Sequence, residues 1–356
     1  MIVFSDLCET TQGVQISKVH QSKDKLYGYI RYLYISDLLN DASLKYIKNE
    51  YPHKIVTEDD LVVANTGSPG KVFKGKYGIL SNNLFRLSFD PNRVNRDYLY
   101  YILSSEIFQV SLQKQMKGGI QKHLGHKTMG RQKIPLPPLP DQKRIATILD
   151  EADKLRQLDK QLLEKYDKLA QSLFLDMFGD VRVNSKKWET TKFENIIALK
   201  SGTQLSAKNM SKGIYPVFGG NGINGYHNEY IFEEPMIVIG RVGAYCGNIH
   251  KTKPKSWITD NALYISKQFI DYNEDYLIYL LKNLKLNQYA SQSGQPLISF
   301  GRIKSVEIIV PPIELQNQFA ERIAAIEAQK AQVQTTLANS NNLFDSLLQK
   351  AFKGEL

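Results

Sequence analysis

The strongest constraint in this sequence is that it carries the same pattern twice. PPLPDQKRIATIL begins at Pro137 and SLFLDMFGD at Ser172; PPIELQNQFAERI begins at Pro311 and SLLQKAFKGEL at Ser346, so both pairs share a single offset. A repeat of that period means two domain-sized copies, each of which must bury its own core. Upstream the match continues with small slips. RDYLYYIL (96–103) parallels EDYLIYLL (274–281) at a slightly larger offset, and Asp60-Leu61-Val62-Val63 parallels Pro235-Met236-Ile237-Val238 ahead of a glycine-bearing loop. The chain of 356 residues therefore reads as domain, long helix, domain, long helix.

Residues 141–178 predict one unbroken helix. Ile145, Ile148, Ala152, Leu155, Leu158, Leu162, Tyr166, Leu169 and Leu173 recur in steps of three and four, without Gly or Pro between them. Asp141 is the expected N-cap and Gly179 the expected terminating glycine. At 1.5 Å per residue such a helix is about 57 Å long, the length of a strut. A second, weaker stripe (Ile323, Ile326, Val333, Leu337, Phe344, Leu347) predicts a matching helix over 315–352. Two helices of equal length, each with one apolar stripe, call for pairing in an antiparallel coiled coil. The expected fold class is α+β: two globular α/β heads (1–140 and 180–312) separated by long helices (141–179 and 313–356), with a pseudo-two-fold internal repeat. Within the heads, LVVANTG, YGILSNNLFRLSF, YPVFGG, MIVIGRVG, ALYIS and VEIIVPP predict short strands, and 98–110 and 276–284 predict helices.

The net charge of +10 is unevenly placed. Residues 1–140 carry a net +7 and 180–312 a net +5, whereas 141–179 and 313–356 are each −1. Two basic heads on neutral struts suggest two polyanion-binding surfaces. Heads held at a set spacing suit the repeating geometry of duplex DNA, and heads that differ in sequence suit unlike half-sites. A membrane-spanning helix needs an apolar run of roughly 18 residues or more, and none occurs, so no span is expected. The two cysteines, Cys8 and Cys246, fit a reducing cytoplasm rather than a disulfide framework.

At these residues the chain resembles the specificity subunit of type I restriction–modification systems. PLPPLPDQKRIATILDEADKL, SLFLDMFGD, VPPIELQNQFAERI and LLQKAFKGEL carry the resemblance, with YPVFGGNGINGYHNEYIF, IVIGRVGAYCGNIH and TDNALYI as parts of a target recognition domain. It departs at the start, where MIVFSDLCETTQG leaves an N-terminal strand missing or differently built. The resemblance implies a non-catalytic reader of double-stranded DNA that binds two adenine-N6 methyltransferase subunits and, with them, restriction/translocase subunits. S-adenosylmethionine would belong to the methyltransferase, ATP and Mg to the restriction subunit, and no cofactor to this chain.

Enzyme-like motifs do not hold up on inspection. Gly70–Lys76 approaches a phosphate-binding loop, but Tyr77 replaces the Ser/Thr and a strand follows; Gly220–Gly225 matches GxGxxG without a following helix or acid. The loops suited to DNA are basic and amide-rich, since cations meet phosphates while amides and Arg forks meet base edges. In the first head they offer Lys71, Lys74, Lys76, Lys117, Gln121, Lys122, His123, His126, Lys127 and Arg131. In the second they offer Asn221, Asn224, Tyr226, Arg241, Tyr245, Lys251, Lys253, Gln292, Gln295 and Arg302. Arg241 is expected where Asn65 or Thr66 sits in the first copy, and as a reader of one half-site. Leu163, Phe174, Leu175 and Phe178, taken as exposed, are the candidate methyltransferase contacts. The competing readings are a coiled-coil adaptor with two protein-binding domains and an enzyme fused to its reader.

Overall fold

The computed structural model describes residues 1–41, 44–116, 122–291 and 294–356. Two compact units result: Met1–Lys160 with Thr335–Leu356, and Gln161–Gln334. Each globular head thus takes half of each long helix, a division different from the four segments expected, because helix residues complete each head's core.

In the first unit, β1 (Ile2–Val3) pairs antiparallel with β10 (Lys133–Ile134). The strand expected to be missing or differently built at the start is therefore present in short form. A four-stranded antiparallel sheet has the order β2 (Cys8–Gln12), β9 (Leu84–Phe89), β6 (Leu61–Ala64), β7 (Val72–Lys74). A mixed sheet follows the order β4 (Tyr46–Lys48), β3 (Tyr29–Leu33), β8 (Gly78–Leu80), β5 (Ile55–Val56), with β3 and β8 parallel. Alternation along β6 explains its run of four buried residues. Leu61 and Val63 enter the main core with Phe4, Phe85 and Leu87, whereas Val62 and Ala64 face a second cluster with Leu33 and Phe73. Helix α1 (Ile35–Asn40) precedes β4. The segment predicted as one helix over 98–110 is two, α2 (Arg96–Ser104) and α3 (Glu106–Gln115). Ser105 breaks it: its extended backbone caps α3, and its hydroxyl accepts from the Phe108 N–H at 3.3 Å. The short helix α4 (His126–Gly130) and the long α5 (Leu139–Phe178) complete this stretch.

The second unit repeats the order. β11 (Thr190–Lys192) pairs with β19 (Glu307–Ile309). The four-stranded sheet runs β12 (Ile197–Ser201), β18 (Ala262–Gln268), β15 (Ile237–Gly240), β16 (Ile249–Lys251). A three-stranded sheet runs β14 (Gly222–His227), β13 (Tyr215–Gly219), β17 (Trp257–Ile258), with β13 and β17 parallel. A bridge between Phe232 and Ser256 stands where β5 pairs in the first unit. The helices are α6 (Phe193–Ile196), α7 (Glu274–Asn283), α8 (Phe300–Ile303) and α9 (Ile313–Lys353).

The equivalence extends to single hydrogen bonds. Gln142, buried at the start of α5, accepts from the Asn95 N–H (2.8 Å) and donates to Pro137 O (2.9 Å). Gln316, its counterpart in the second copy, accepts from the Asn273 N–H (3.0 Å) and donates to Pro311 O (2.9 Å). Asn95 and Asn273 are the N-caps of α2 and α7, so each glutamine ties a long helix to the capped helix of its own head.

The long helices correct two expectations. Asp141 lies inside α5, which begins at Leu139 and accommodates Pro140 in its first turn, where no N–H partner is needed. The predicted apolar stripe is only partly covered: Leu155 and Leu158 in the first unit, and Leu162 and Leu169 in the second, are exposed. The covered face shares Ile145 and Ala152 with it and then runs beside it. In the first unit Ile145, Leu149 and Ala152 join Phe344 and Leu348 of α9; Arg156 lies 3.5 Å over the Phe344 ring, and Asp159 accepts from Ser340. In the second unit Ala170 and Phe174 meet Phe319 and Ile323, and Lys330 pairs with Asp167. Arg and Asp fill core-facing places that a count of apolar residues passes over, because Arg covers apolar surface with its stem and stacks on rings. Gly179 ends α5 at φ +77° as expected.

Candidate nucleic-acid interface

At one end of the first four-stranded sheet three segments converge. The Leu124 N–H donates to Asn65 O (2.9 Å), and the Asn65 N–H donates to Asn83 O (3.0 Å). The Asn65 side chain donates to Asn82 O at 3.1 Å. Gln12, at the end of β2, also donates to Asn82 O, and its Oε1 meets His126 Nε2 at 2.8 Å. The other ring nitrogen of His126 meets the Thr10 hydroxyl. Burial, reinforced by neighbouring His123, holds the His126 pKa below its ordinary value and favours the neutral ring these bonds use. Around this framework Lys71, Lys122, His123, Lys127 and Arg131 are exposed. Lys117 and Gln121 lie outside the described residues.

The second head builds the same junction from different side chains. The Ile298 N–H donates to Arg241 O (2.9 Å), and the Arg241 N–H donates to Asn261 O (2.9 Å). The Arg241 guanidinium donates to Asp260 O (3.2 Å) and Ser201 Oγ (3.1 Å). Arg241 therefore stands where Asn65 stands, bond for bond. Val242 bridges Leu297, and the Gly243 N–H donates to Pro296 O, so the 241–247 loop lies against the segment bearing exposed Gln295. Tyr245 is exposed in that loop, and Arg302 is exposed on α8 just beyond Ile298. Asn221 approaches Asn248 (3.5 Å), and the Asn224 amide lies across Gly219, where a Cβ would be only 2.0 Å from its nitrogen. Tyr226 is exposed farther along β14, opposite Pro216. Gln292 lies outside the described residues.

Four lysines expected in the interface are set elsewhere. Lys74 pairs in register with Leu61, at the opposite end of β6 from Asn65, and Lys251 pairs with Ile237, at the opposite end of β15 from Arg241. Lys74 binds Asp97 (2.8 Å) on α2; Lys251 binds Glu274 (2.5 Å) on α7. Burial raises the Asp97 pKa, but Lys74 and Arg96 outweigh it and hold the carboxyl below its ordinary value. Lys76 binds Asp41 (2.9 Å) and Asp37 O (2.7 Å). Lys253, exposed, follows Lys251 at the same remote end. Loop membership in the sequence hid the strand register that separates them from the junction. Phe174 and Phe178 are likewise not exposed: both are fully buried with Tyr276 and Phe319, Phe178 lying 4.6 Å from the Tyr276 ring. Leu163 is half-buried and Leu175 is exposed. Among the described residues no group of three or more His, Cys, Asp or Glu is placed to hold a metal, and no helix is long and apolar enough to cross a membrane.

The sequence reading missed the turns Ser81–Asn83 and Thr259–Asn261 at the centre of each junction. Their Asn and Asp residues directly after a strand were the available signal.

The family model for the type I restriction modification DNA specificity domain matches residues 4–166 and again 185–340. The chain belongs to that family. Over 130 residues it is 37% identical to the type I restriction enzyme EcoprrI specificity subunit of Escherichia coli, a match spanning 35% of this chain and 32% of that protein. Over 352 residues it is 25% identical to the MjaVIII specificity subunit of Methanocaldococcus jannaschii, covering 85% of this chain and 80% of the relative. The fold matches that of the specificity subunit from M. genitalium at a TM-score of 0.63 and 18% identity, covering 99% of this chain and 95% of that one. In this specificity-family chain the two family matches fall on the two heads with their converging loops.

Proposed function

We propose that the chain is the non-catalytic, sequence-reading subunit of a type I restriction–modification complex. Each head reads one half-site of a bipartite duplex target. The lengths of α5 and α9, paired as a coiled coil, set the gap between half-sites. The observation that carries this reading is the duplicated junction: one backbone framework, built twice, displaying different exposed side chains. Equal frameworks suit equal docking on a duplex, and unlike tips suit unlike half-sites. On this reading Lys71, Lys122, Lys127 and Arg131 in the first head meet phosphates. Tyr245, Gln295, Arg302, Asn221 and Asn224 serve the second head.

Catalysis belongs to partners: two methyltransferase subunits that use S-adenosylmethionine for adenine-N6 transfer, and restriction subunits that use ATP and Mg. The repeat gives two equivalent exposed contacts for two methyltransferases. Leu169 in the second unit and Leu343 in the first occupy matching positions of the repeat, and each is 51% exposed. Leu163, half-buried, and Leu175, exposed, lie on other faces of the same helix.

Mapping methylated positions in the DNA of cells that carry this chain with its cognate methyltransferase tests the reading. A two-part motif with a fixed gap is expected, and removal of one heptad from each long helix shortens the gap while leaving both half-sites intact. A continuous motif, or methylation without sequence preference, overturns it.

A further inference from the structure

We infer that the turns Ser81–Asn83 and Thr259–Asn261 are the base-reading elements of the two heads, with Asn83 and Asn261 as specificity-determining side chains. This rests on the proposed function and names the residues that would execute it. Both turns close with the same bond, Leu84 N–H to Ser81 O and Ala262 N–H to Thr259 O, each 3.0 Å. Both are tied underneath to the parallel sheet, through Ser81 N–H to Leu33 O (2.9 Å) and Thr259 N–H to Phe218 O (2.8 Å). Both have their carbonyls held from the side by Asn65 or Arg241, and by Gln12 or Ser201 (Ser201 Oγ to Asp260 O, 3.5 Å).

A surface connection needs only its own closing bond. Here each turn is also held from beneath and from the side, and the braces differ in chemistry between the copies while reaching the same acceptors. What is preserved is therefore the position of the turn, and positional rigidity is what base-edge hydrogen bonding requires.

The groups so positioned are free to act. Ser81 and Thr259 are buried, whereas Asn83 and Asn261 are exposed, and neither amide has a hydrogen-bond partner among the described residues. An amide presents a donor and an acceptor side by side, which matches the N6 and N7 edge of adenine. The surroundings of the first turn suit a polyanion: Asn83 borders a hollow of about 590 Å³ shared with Lys18, Lys45, Gln21 and Tyr34. On the other side of the turn lies the segment bearing Lys122 and Lys127, joined to it through Asn65. Arg241, expected as a reader, becomes a positioning residue, because its guanidinium is engaged with the turn it supports.

The test uses the full chain with its cognate methyltransferase, as wild type, Asn83→Ala and Asn261→Ala, each scored for its methylated motif and for binding to a randomised duplex library. Because both side chains are exposed and unbonded, hydrogen exchange along each head stays at the wild-type pattern. Asn83→Ala is expected to lose discrimination roughly tenfold at one position of one half-site, and Asn261→Ala at one position of the other, with unchanged salt dependence. Arg241→Ala blurs the same half-site as Asn261→Ala and also speeds amide exchange at Ala262; Arg241→Gln, which keeps a donor, restores part of both. Wild-type half-sites unchanged in both asparagine variants overturn the assignment. A wild-type chain with no two-part motif overturns instead the function on which it rests.

Discussion

Gln142 is the residue whose loss should reveal how firmly the first head is joined to its share of the long helix. Its side chain is 1% exposed and makes three bonds: it accepts from Asn95 N–H (2.8 Å) and donates to Pro137 O (2.9 Å) and Arg93 O (3.0 Å). Gln142→Ala strands one donor, on half-buried Asn95, and two acceptors, on half-buried Pro137 and exposed Arg93. Each stranded group costs about 1–3 kcal/mol, less where water can enter, and the missing side chain adds a small void. A loss of about 3–4 kcal/mol follows, concentrated where Asn95 caps α2. A two-unit chain need not unfold in one step, so a single melting point is a poor readout. Hydrogen exchange resolved along the chain is better. At about 1.4 kcal/mol per tenfold, protection across Asn95–Ser104 should fall by roughly 100-fold or more, while α7 keeps its protection. Gln316→Ala should do the reverse, exposing α7 and sparing α2. Equal loss in both helices from either variant, or a change below about fivefold in the local one, would refute the claim that these glutamines are local locks.

Three further outcomes follow from the same geometry. Lys122→Ala and Lys127→Ala should each weaken binding to all duplexes about equally and reduce the slope of log affinity against log salt by about one, as measured by titration at several salt concentrations; Lys74→Ala should leave that slope unchanged. Gly13→Ala and Gly202→Ala should disrupt their heads, because a Cβ would lie 2.1 Å from Ser81 O and 2.3 Å from Ile258 O, backbone atoms with no room to move; soluble yield and hydrogen exchange read this out. For His126 the folded pKa lies below the unfolded value, so its contribution is present above the unfolded pKa near 6.5 and is lost as pH falls. The protection factor of the Leu124 amide, corrected for the intrinsic exchange rate at each pH, should therefore fall as pH drops below about 6.5, and the dependence should vanish in His126→Gln.

Much of the architecture could be read from spacing alone. The offset shared by the two copies located both long helices, and the matching segments 96–103 and 274–281 lie in α2 and α7, although the helix expected over 98–110 divides at Ser105. What spacing could not give was which side of a helix is covered. The leucines at 155, 158, 162 and 169 make the better apolar stripe, yet the buried side carries Arg156 stacked on Phe344. A stripe count assigns Arg to solvent, but a guanidinium on an aromatic face with a carboxylate beside it is at home in partial burial. The candidate interface was legible by segment and not by residue. The 122–131 and 241–247 loops do meet the junctions, but Lys74 and Lys251 belong to strands whose register carries them to the far end. Register depends on pairing with distant strands, which no local pattern records.

The two ends of each four-stranded sheet have diverged differently between the copies. At the remote end the pairs are chemically alike: Lys74 with Asp97 on α2, Lys251 with Glu274 on α7. At the junction the acceptors are equivalent, but the donors change from Asn65 to Arg241 and from Gln12 to Ser201. Two donors of different length can reach one carbonyl only if the backbone around them adjusts or a longer side chain folds back, and Arg241 does the latter while its main-chain N–H keeps the bond to Asn261 O. The framework thus tolerates substitution at the braces without moving the turn. A surface built this way can change the side chains it displays while preserving where they are displayed. On the proposed function, that separation is what would let one scaffold serve two unlike half-sites within a single chain.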